Sequence, residues 1–182
     1  MLATLGADRR EPGTEGREPG TEGREPGTEN REVGEVPKRT THEESSCPVA
    51  RPLDVVGDGW TLLIVRDAFD GLRRFGQFQK SLGLAKNILS ARLANLVANG
   101  VFELAPAADG SPYQEYVLTE KGRALFPVIT ALRQWGDRWF FTEGEPRARL
   151  VDRETGEPIA PMRVRAADGR VLGPEDATVL LP

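Results

Sequence analysis

The order of helix and strand signals between Cys47 and Phe141 is the feature that most constrains the fold of this chain. Apolar residues recur at helical spacing in four short segments, two alternating runs then flank a turn, and one long helical pattern follows. Each segment is too short to be stable alone, so the segments must pack together. The order predicts a small, mainly α-helical core that carries a two-stranded hairpin.

Gly, or Gly together with Asp or Asn, follows the four helical patterns at the positions where helices end. Only Gly83-Leu84 separates the third helix from the fourth, and a short turn that contains Gly is typical of a helix-turn-helix. The predicted helices run from about Val49 to Val56, from Trp60 to Phe69, from about Phe75 to Leu82, and from about Ala85 to Ala98.

The two alternating runs, Val101–Ala105 and Glu115–Leu118, predict a β-hairpin around the turn Asp109–Pro112. Three helices followed by a two-stranded wing make the winged helix-turn-helix arrangement, a mainly α fold with a small β-hairpin (α+β). The hairpin tip carries Asp109 and no Lys or Arg. From this wing we therefore expect weak contacts to a nucleic acid, or contacts from its backbone only.

A last long helix is predicted to begin after Thr119, its N-cap, and to end near Phe141. Pro127 lies inside this pattern. We expect either a kink at this proline or a helix that starts properly only there, because proline cannot donate a helical hydrogen bond.

The chain ends differ from this middle part, which we assign to a domain of residues 47–142. Residues 1–46 contain the repeat Arg10–Gly16, which recurs at Arg17–Gly23 and Arg24–Asn30, and we predict a disordered tail because the repeats cannot form a core. Residues 143–182 are predicted to form a small, partly ordered β appendage without metal, with strands at Arg149–Val151 and Met162–Val164.

The net charge of −4 argues at first against binding to nucleic acid, because phosphates require a basic surface. The charge is unevenly distributed. Residues 47–142 hold 11 basic and nine acidic side chains, a net charge of +2, whereas residues 1–46 carry −4 and residues 143–182 carry −2. The acidity therefore lies outside the predicted helix-turn-helix domain.

Composition narrows the function classes further. No apolar run is long enough to cross a membrane, and the N-terminus lacks the apolar core of a secretory signal. The single cysteine cannot form an internal disulfide or a Cys-rich zinc site, and the single histidine, His42, is expected to be a solvated tail residue. We expect a soluble cytoplasmic protein with no cofactor that is not an enzyme, because no catalytic set of residues is present.

The fourth helix is the predicted recognition helix, which enters the major groove of double-stranded DNA. Its outer face carries Lys, Asn and Ser side chains that can bond base edges or phosphates, and small Ala residues that allow close approach. Nearby basic residues are expected to clamp phosphates. Arg92 stays open, since it could instead pair with an acid such as Asp67 or Asp70. The predicted DNA-binding residues are Lys86, Asn87, Ser90, Ala91, Arg92, Arg74, Arg73 and Lys80.

An ordered signature is spread along residues 47–141. It comprises Cys47-Pro48, Gly57-Asp58, Trp60-Thr61-Leu62-Leu63-Ile64, Arg66-Asp67, Gly71, Arg74-Phe75, Leu89-Ser90, Arg92-Leu93, Leu96, Gly100, Tyr113, Glu115-Tyr116, Leu118-Thr119, Gly122, Leu125-Phe126-Pro127 and Trp135-Gly136. In this signature the chain resembles the HxlR-type family of bacterial winged-helix transcription regulators, over about half of its length.

The resemblance implies a homodimer that binds a near-palindromic operator, with the first and last helices forming much of the dimer interface. We expect a repressor, since blocking a promoter needs no further contact. An alternative is a winged-helix module for protein–protein contact that does not bind specific DNA. The interface candidates, some of which could instead close the monomer core, are Val49, Leu53, Leu132, Trp135, Trp139 and Phe140.

We make separate predictions for Ala85 and Cys47. Many members of the family have Ser at the start of the recognition helix, where this chain has Ala85, so that cap is absent. The resemblance also suggests that Cys47, near the first helix, could sense an oxidant or another small effector, because a thiol at a helix N-terminus reacts more readily as thiolate. The alternative is a small residue at a helix start without a redox role.

Overall fold

The structure is a computed structural model, which describes residues 41–181. The prediction of disorder for residues 1–40 lies outside the described residues. The elements are helices α1 (Ala50–Val56), α2 (Gly59–Phe69), α3 (Phe75–Leu82) and α4 (Lys86–Ala98), strands β1 (Phe102–Pro106) and β2 (Gln114–Leu118), and helices α5 (Glu120–Arg123) and α6 (Phe126–Trp139).

Local capping explains where several helices begin and end. The Asp58 carboxylate accepts a hydrogen bond from the Thr61 N–H at 3.1 Å and so caps α2. Gly83 adopts the left-handed conformation, with φ of 64°, and ends α3 so that α4 can begin after a short turn. This turn confirms the predicted helix-turn-helix, and the boundaries of α1 to α4 differ from the predicted ones by one residue at most.

The core joins α2, α3, α4, the hairpin and α6, and Val55 of α1 packs against it. It lies under α4, whose residues Leu89, Leu93 and Leu96 are fully buried. Phe78 of α3 and Phe102 of β1 are also fully buried and meet edge to face, with ring centroids 6.3 Å apart. The recognition helix is therefore held on its inner side by well-packed apolar contacts.

Strands β1 and β2 form an antiparallel hairpin in which Phe102 pairs with Leu118 and Pro106 with Gln114. The hairpin also attaches to the segment between α2 and α3, because the Tyr116 N–H donates to the Arg73 carbonyl oxygen at 2.8 Å. The predicted wing is thus confirmed, and it is anchored to the chain just before the helix-turn-helix.

The last helical pattern is divided into two helices. Thr119 caps α5, since its hydroxyl accepts a hydrogen bond from the Gly122 N–H at 3.1 Å, as predicted. The long helix α6 starts at Phe126, with Pro127 in its first turn, where the missing N–H costs nothing. Of the two outcomes expected for this proline, the structure shows the helix that starts there.

Residues 143–181 contain turns, isolated bridges and a short 3-10 helix, Pro174–Asp176, rather than strands. Single bridges join Val151 to Pro158 and Arg165 to Val171, so the strand prediction for Met162–Val164 is wrong, and Arg149–Val151 forms only one bridge. Frequent Gly and Pro interrupt both ladders after one pair. The segment packs along α6, where Gln134 donates to the Ala160 carbonyl at 3.0 Å and accepts from the Met162 N–H at 2.7 Å.

The residues just before α1 are bonded to that helix. His42 Nδ1 lies 2.8 Å from Asp54 Oδ1, and the Arg51 guanidinium donates to the Ser45 carbonyl oxygen. His42 and Ser45 are therefore bonded to the domain. His42 is exposed, as expected of a solvated residue, but its ring contacts Asp54 of α1. The sequence separation of these pairs is too large for helical periodicity to indicate them.

Candidate DNA-binding surface and dimer face

The outer face of α4 is open to solvent over the predicted base-reading residues. Lys86, Asn87, Ser90 and Ala91 are all exposed. Asn87 and Ala91 lie opposite the buried leucines and Ser90 lies to one side, whereas Lys86 is exposed because it lies in the first turn of the helix. Ala85 is the N-cap residue, and no side chain caps the helix, as expected from the sequence. The first N–H groups of α4 are consequently free to bind an anion, because a helix N-terminus carries partial positive charge.

Ile88 adds an apolar group to this surface that the sequence analysis did not select. Its side chain is 40% exposed although it lies next to the fully buried Leu89. At about 100° per residue, Ile88 lies outside the stripe formed by the buried leucines. An exposed aliphatic group in this position can contact the methyl group of thymine.

The basic residues before α3 are bonded to the wing. The Arg74 guanidinium lies 2.6 Å from Asp109 in the hairpin tip and 3.2 Å from Glu115 on β2, and Arg73 lies 3.9 Å from Glu115. These contacts raise the pKa of Arg74 and hold the pKa of Asp109 well below its usual range. The acids of the wing therefore neutralise charge that the sequence analysis assigned to phosphate contacts.

Arg92 is also paired, with a partner that the sequence analysis did not consider. Its Nε lies 3.3 Å from Oδ1 of Asp58, the residue that caps α2, so the suggested pairing with Asp67 or Asp70 is wrong. Asp67 pairs with its neighbour Arg66 at 2.6 Å, since both extend from α2. The contact between Arg92 and Asp58 ties the middle of the recognition helix to the start of α2.

Two lysines near the helix-turn-helix remain without a carboxylate partner among residues 41–181. Lys80 is exposed in the last turn of α3, and Lys86 is exposed in the first turn of α4. Since both lie near the uncapped start of α4, free positive charge is concentrated on this edge of the helix-turn-helix.

A second surface is the apolar stripe of α6, formed by Val128, Leu132, Trp135 and Trp139. These residues recur at intervals of four, three and four, which places them along one side of the helix. Their exposed fractions are 50%, 46%, 54% and 64%. Val128 belongs to this stripe although the sequence analysis did not select it. So much exposed apolar surface on one helix is typical of a contact between subunits.

The other three interface candidates are exposed as well. Val49 and Leu53, at the start of α1, are 64% and 49% exposed, and Phe140, just after α6, is 67% exposed. The Phe140 ring contacts Trp135, with centroids 5.0 Å apart. None of the six candidates belongs to the buried core of the described chain, which favours a surface role for them over closure of the monomer core.

Cys47 is exposed and precedes α1. Hydrogen bonds from the backbone N–H groups of Val49 and Ala50 lower the pKa of its thiol. A lowered pKa increases the fraction of thiolate at neutral pH, which is the reactive form. The position thus satisfies the chemical requirement of the expected sensor, and nothing in the geometry identifies an oxidant.

Residues 41–181 form no helix that is long and apolar enough to cross a lipid bilayer. Within the same residues, no three His, Cys, Asp or Glu side chains come together in an arrangement that could hold a metal ion.

The helix-turn-helix formed by α3 and α4, with the wing that follows it, defines a winged-helix protein of the kind that regulates transcription. The family model for HxlR-like helix-turn-helix proteins matches residues 55–143. An uncharacterised HTH-type transcriptional regulator of Mycobacterium tuberculosis, Rv3095, is 38% identical over 138 residues, which cover 76% of this chain and 87% of the relative. The chain belongs to the HxlR-like helix-turn-helix family, whose members are transcription regulators and not enzymes.

Two solved structures resemble this chain. The crystal structure of PA1607, a candidate transcription factor, is similar with a TM-score of 0.74 and 62% identity, covering 78% of this chain and 99% of the other. A second candidate transcription factor, PA1374 from Pseudomonas aeruginosa, has a TM-score of 0.53 and 40% identity, covering 75% and 92%. Both similarities extend the family assignment to three-dimensional structure.

Proposed function

We propose that the protein is a homodimeric repressor that binds a near-palindromic operator in the cytoplasm through its two recognition helices. The observation that carries the proposal is the exposed first turn of α4, where Lys86 and Asn87 follow an uncapped helix start. Lys86 and Asn87 would contact base edges or phosphates, Ser90 would bond a base or a phosphate, and Ala91 would allow close approach to the groove.

The pairing of the arginines modifies the expected phosphate contacts. Lys80 and the free N–H groups at the start of α4 can bind phosphate without breaking another bond. Arg73, Arg74 and Arg92 would have to leave their carboxylates first. Each phosphate neutralised contributes about 0.9 to the slope of log affinity against log salt concentration. Two free lysines in each subunit of a dimer therefore predict a slope of about −4, whereas all five predicted cations would give about −9.

The experiment is a selection of genomic DNA fragments, including the region upstream of the protein's own gene, followed by affinity measurements at several salt concentrations. Wild-type protein should bind selected fragments more tightly than unrelated DNA. Lys86→Ala combined with Asn87→Ala should abolish this selectivity and leave the dimer intact. Glu120→Ala, at an exposed position of α5, is the control and should leave selectivity unchanged. Failure to select any fragment would refute the proposed function.

The role of Arg92 can be tested by changing its partner. In Asp58→Asn the amide oxygen can still cap α2, but the charge that holds Arg92 is gone. If Arg92 acts by positioning α4, the variant should bind the operator more weakly than the wild type. Tighter binding with a steeper salt dependence would instead show that the released Arg92 contacts phosphate. Asp70→Asn, at an acid beyond the end of α2, is the control for a change in net charge.

A response to oxidants through Cys47 forms part of the proposal. Its support is the exposed thiol with a lowered pKa at the start of α1, next to the interface candidates Val49 and Leu53. A disulfide between subunits, a mixed disulfide or an alkylated thiol would change this region. DNA affinity should change after treatment with diamide or a quinone in wild-type protein and stay constant in Cys47→Ser. If the DNA affinity of both proteins changes equally after treatment, Cys47 is not an oxidant sensor.

A winged-helix module for protein–protein contact is the second candidate function. The observation in its favour is the wing, where Asp109 and Glu115 bind the arginines and Tyr113 is 67% exposed. Such a module would retain a partner protein and show no selectivity among DNA fragments. The fragment selection therefore separates the two functions in one measurement.

A further inference from the structure

A small cleft lies between α6 and the segment that follows it. It has a volume of about 150 Å³, and both the helix and residues 147–159 contribute to its walls. This is smaller than the clefts of about 300–1,000 Å³ that drug-sized ligands occupy. Any ligand of this cleft must be small.

The charge of the walls is positive. Arg133, Arg147 and Arg149 line the cleft together with one carboxylate, Asp137. Asp137 is paired with Arg147 at 3.3 Å, and the Arg147 guanidinium also lies over the Phe141 ring, 5.7 Å from its centroid. Arg133 and Arg149 have no carboxylate partner within residues 41–181. The cleft thus presents two arginines that lack a counter-charge.

Two buried polar atoms at the cleft lack hydrogen-bond partners. Thr130 is only 3% exposed, lines the cleft, and has no partner for its Oγ1 among the described residues. Arg133 donates from Nη1 to the Ala148 carbonyl at 3.5 Å, but its Nε is buried and unpaired. A buried donor without a partner is unfavourable, and a bound acceptor would remove this cost.

The remaining walls are apolar. Leu150, Pro158 and Ile159 line the cleft from the segment after α6. A ligand that satisfies the whole cleft must combine an acceptor with negative charge at one end and an aliphatic body at the other. A bare inorganic anion would leave the apolar wall without contact.

We propose that this cleft binds a short aliphatic carboxylate. The guanidinium groups of Arg133 and Arg149 hold the carboxylate, since arginine can bond a carboxylate through two parallel hydrogen bonds. The Thr130 hydroxyl donates a further hydrogen bond, and Leu150 and Ile159 contact the aliphatic chain. The ligand then bridges α6 and the segment that packs on it. This binding does not depend on DNA.

The test is calorimetric or NMR titration of the full chain with butyrate at low salt, with butyramide as a neutral ligand of the same shape and inorganic phosphate as a bare anion. Butyrate should bind more tightly than either. Arg133→Gln and Arg149→Gln should each weaken butyrate binding about tenfold or more, because each removes a charge-assisted hydrogen bond. Arg153→Gln, at an exposed arginine outside the cleft, should bind butyrate as the wild type does.

Thr130→Val gives an independent check, since it keeps the shape and removes the hydroxyl. It should raise the melting temperature of the free protein, because an unpartnered buried hydroxyl is lost, and it should weaken butyrate binding. Equal affinity for butyrate and butyramide, or for butyrate and phosphate, would overturn the proposed ligand class. No binding of butyrate at millimolar concentration, or undiminished binding by both arginine variants, would overturn the site.

Discussion

Trp139 provides the sharpest test of the proposed dimer face. Its side chain is 64% exposed at the end of the apolar stripe of α6, with the Arg138 guanidinium 5.0 Å from the ring centroid. A tryptophan can bury roughly 250 Å², so about 160 Å² is available to a partner subunit. At about 25 cal/mol per Å² this area corresponds to about 4 kcal/mol for each subunit and about 8 kcal/mol for a symmetric dimer, as an upper bound.

Trp139→Ala should weaken dimerisation by about half of that bound, because alanine and the backbone retain part of the contact and an interface need not cover the whole ring. About 4 kcal/mol corresponds to an approximately 1,000-fold increase in the dimer dissociation constant. Sedimentation equilibrium over a range of protein concentrations measures this constant directly, and circular dichroism checks that the variant is folded.

Tyr113→Ala is the matched control, since Tyr113 is an aromatic residue with 67% exposure in the wing rather than on α6. It should leave the dimer constant unchanged. If the Trp139 variant dimerises as tightly as the wild type, the stripe is not the interface. If the wild type is a monomer at every concentration, the dimer itself is wrong.

Three further predictions concern stability. Leu93→Ala leaves a cavity in the fully buried core and should lower the free energy of unfolding by about 2–5 kcal/mol, measured by urea denaturation. Gly122→Ala should lower it by about 1–3 kcal/mol in the same assay, because a Cβ there would collide with the Val101 carbonyl oxygen. Hydrogen bonds from Arg74 and Ser111 hold the pKa of Asp109 below its usual value. This carboxylate therefore stabilises the fold above about pH 4 and does so progressively less as the pH falls. Asp109→Asn should reduce that loss of stability on acidification.

The sequence predicted the helices and the hairpin because the signals that form them are local. Periodic leucines, the capping residue Thr119 and the glycine at position 83 act within a few residues. The structure agrees to within one residue for α1 to α4 and the hairpin, and the last helix ends two residues early, at Trp139. The strands predicted after residue 143 failed because two alternating apolar residues are too weak a signal where Gly and Pro follow closely. Without longer partner strands, the extended segments around Val151 and Arg165 form only one bridge each.

The charged contacts could not be predicted from the sequence, because their partners lie far apart along the chain. Arg74 meets Glu115 across 41 residues, and Arg92 meets Asp58 across 34. Nothing local links such pairs, so the sequence predicted Arg73 and Arg74 as available to phosphate and did not identify Asp58 as the partner of Arg92.

The pairing changes what a net charge of +2 means for this domain. The acids that lower the net charge lie against Arg73 and Arg74 before α3 and against Arg92 of the recognition helix, so the charge left for DNA lies on Lys80, Lys86 and the uncapped start of α4. Bulk electrostatic attraction is then small, so in the proposed dimer tight operator binding would rest on base contacts and on two half-sites bound together. A variant that stays monomeric should consequently lose operator binding almost completely, even though each of its recognition helices is unchanged.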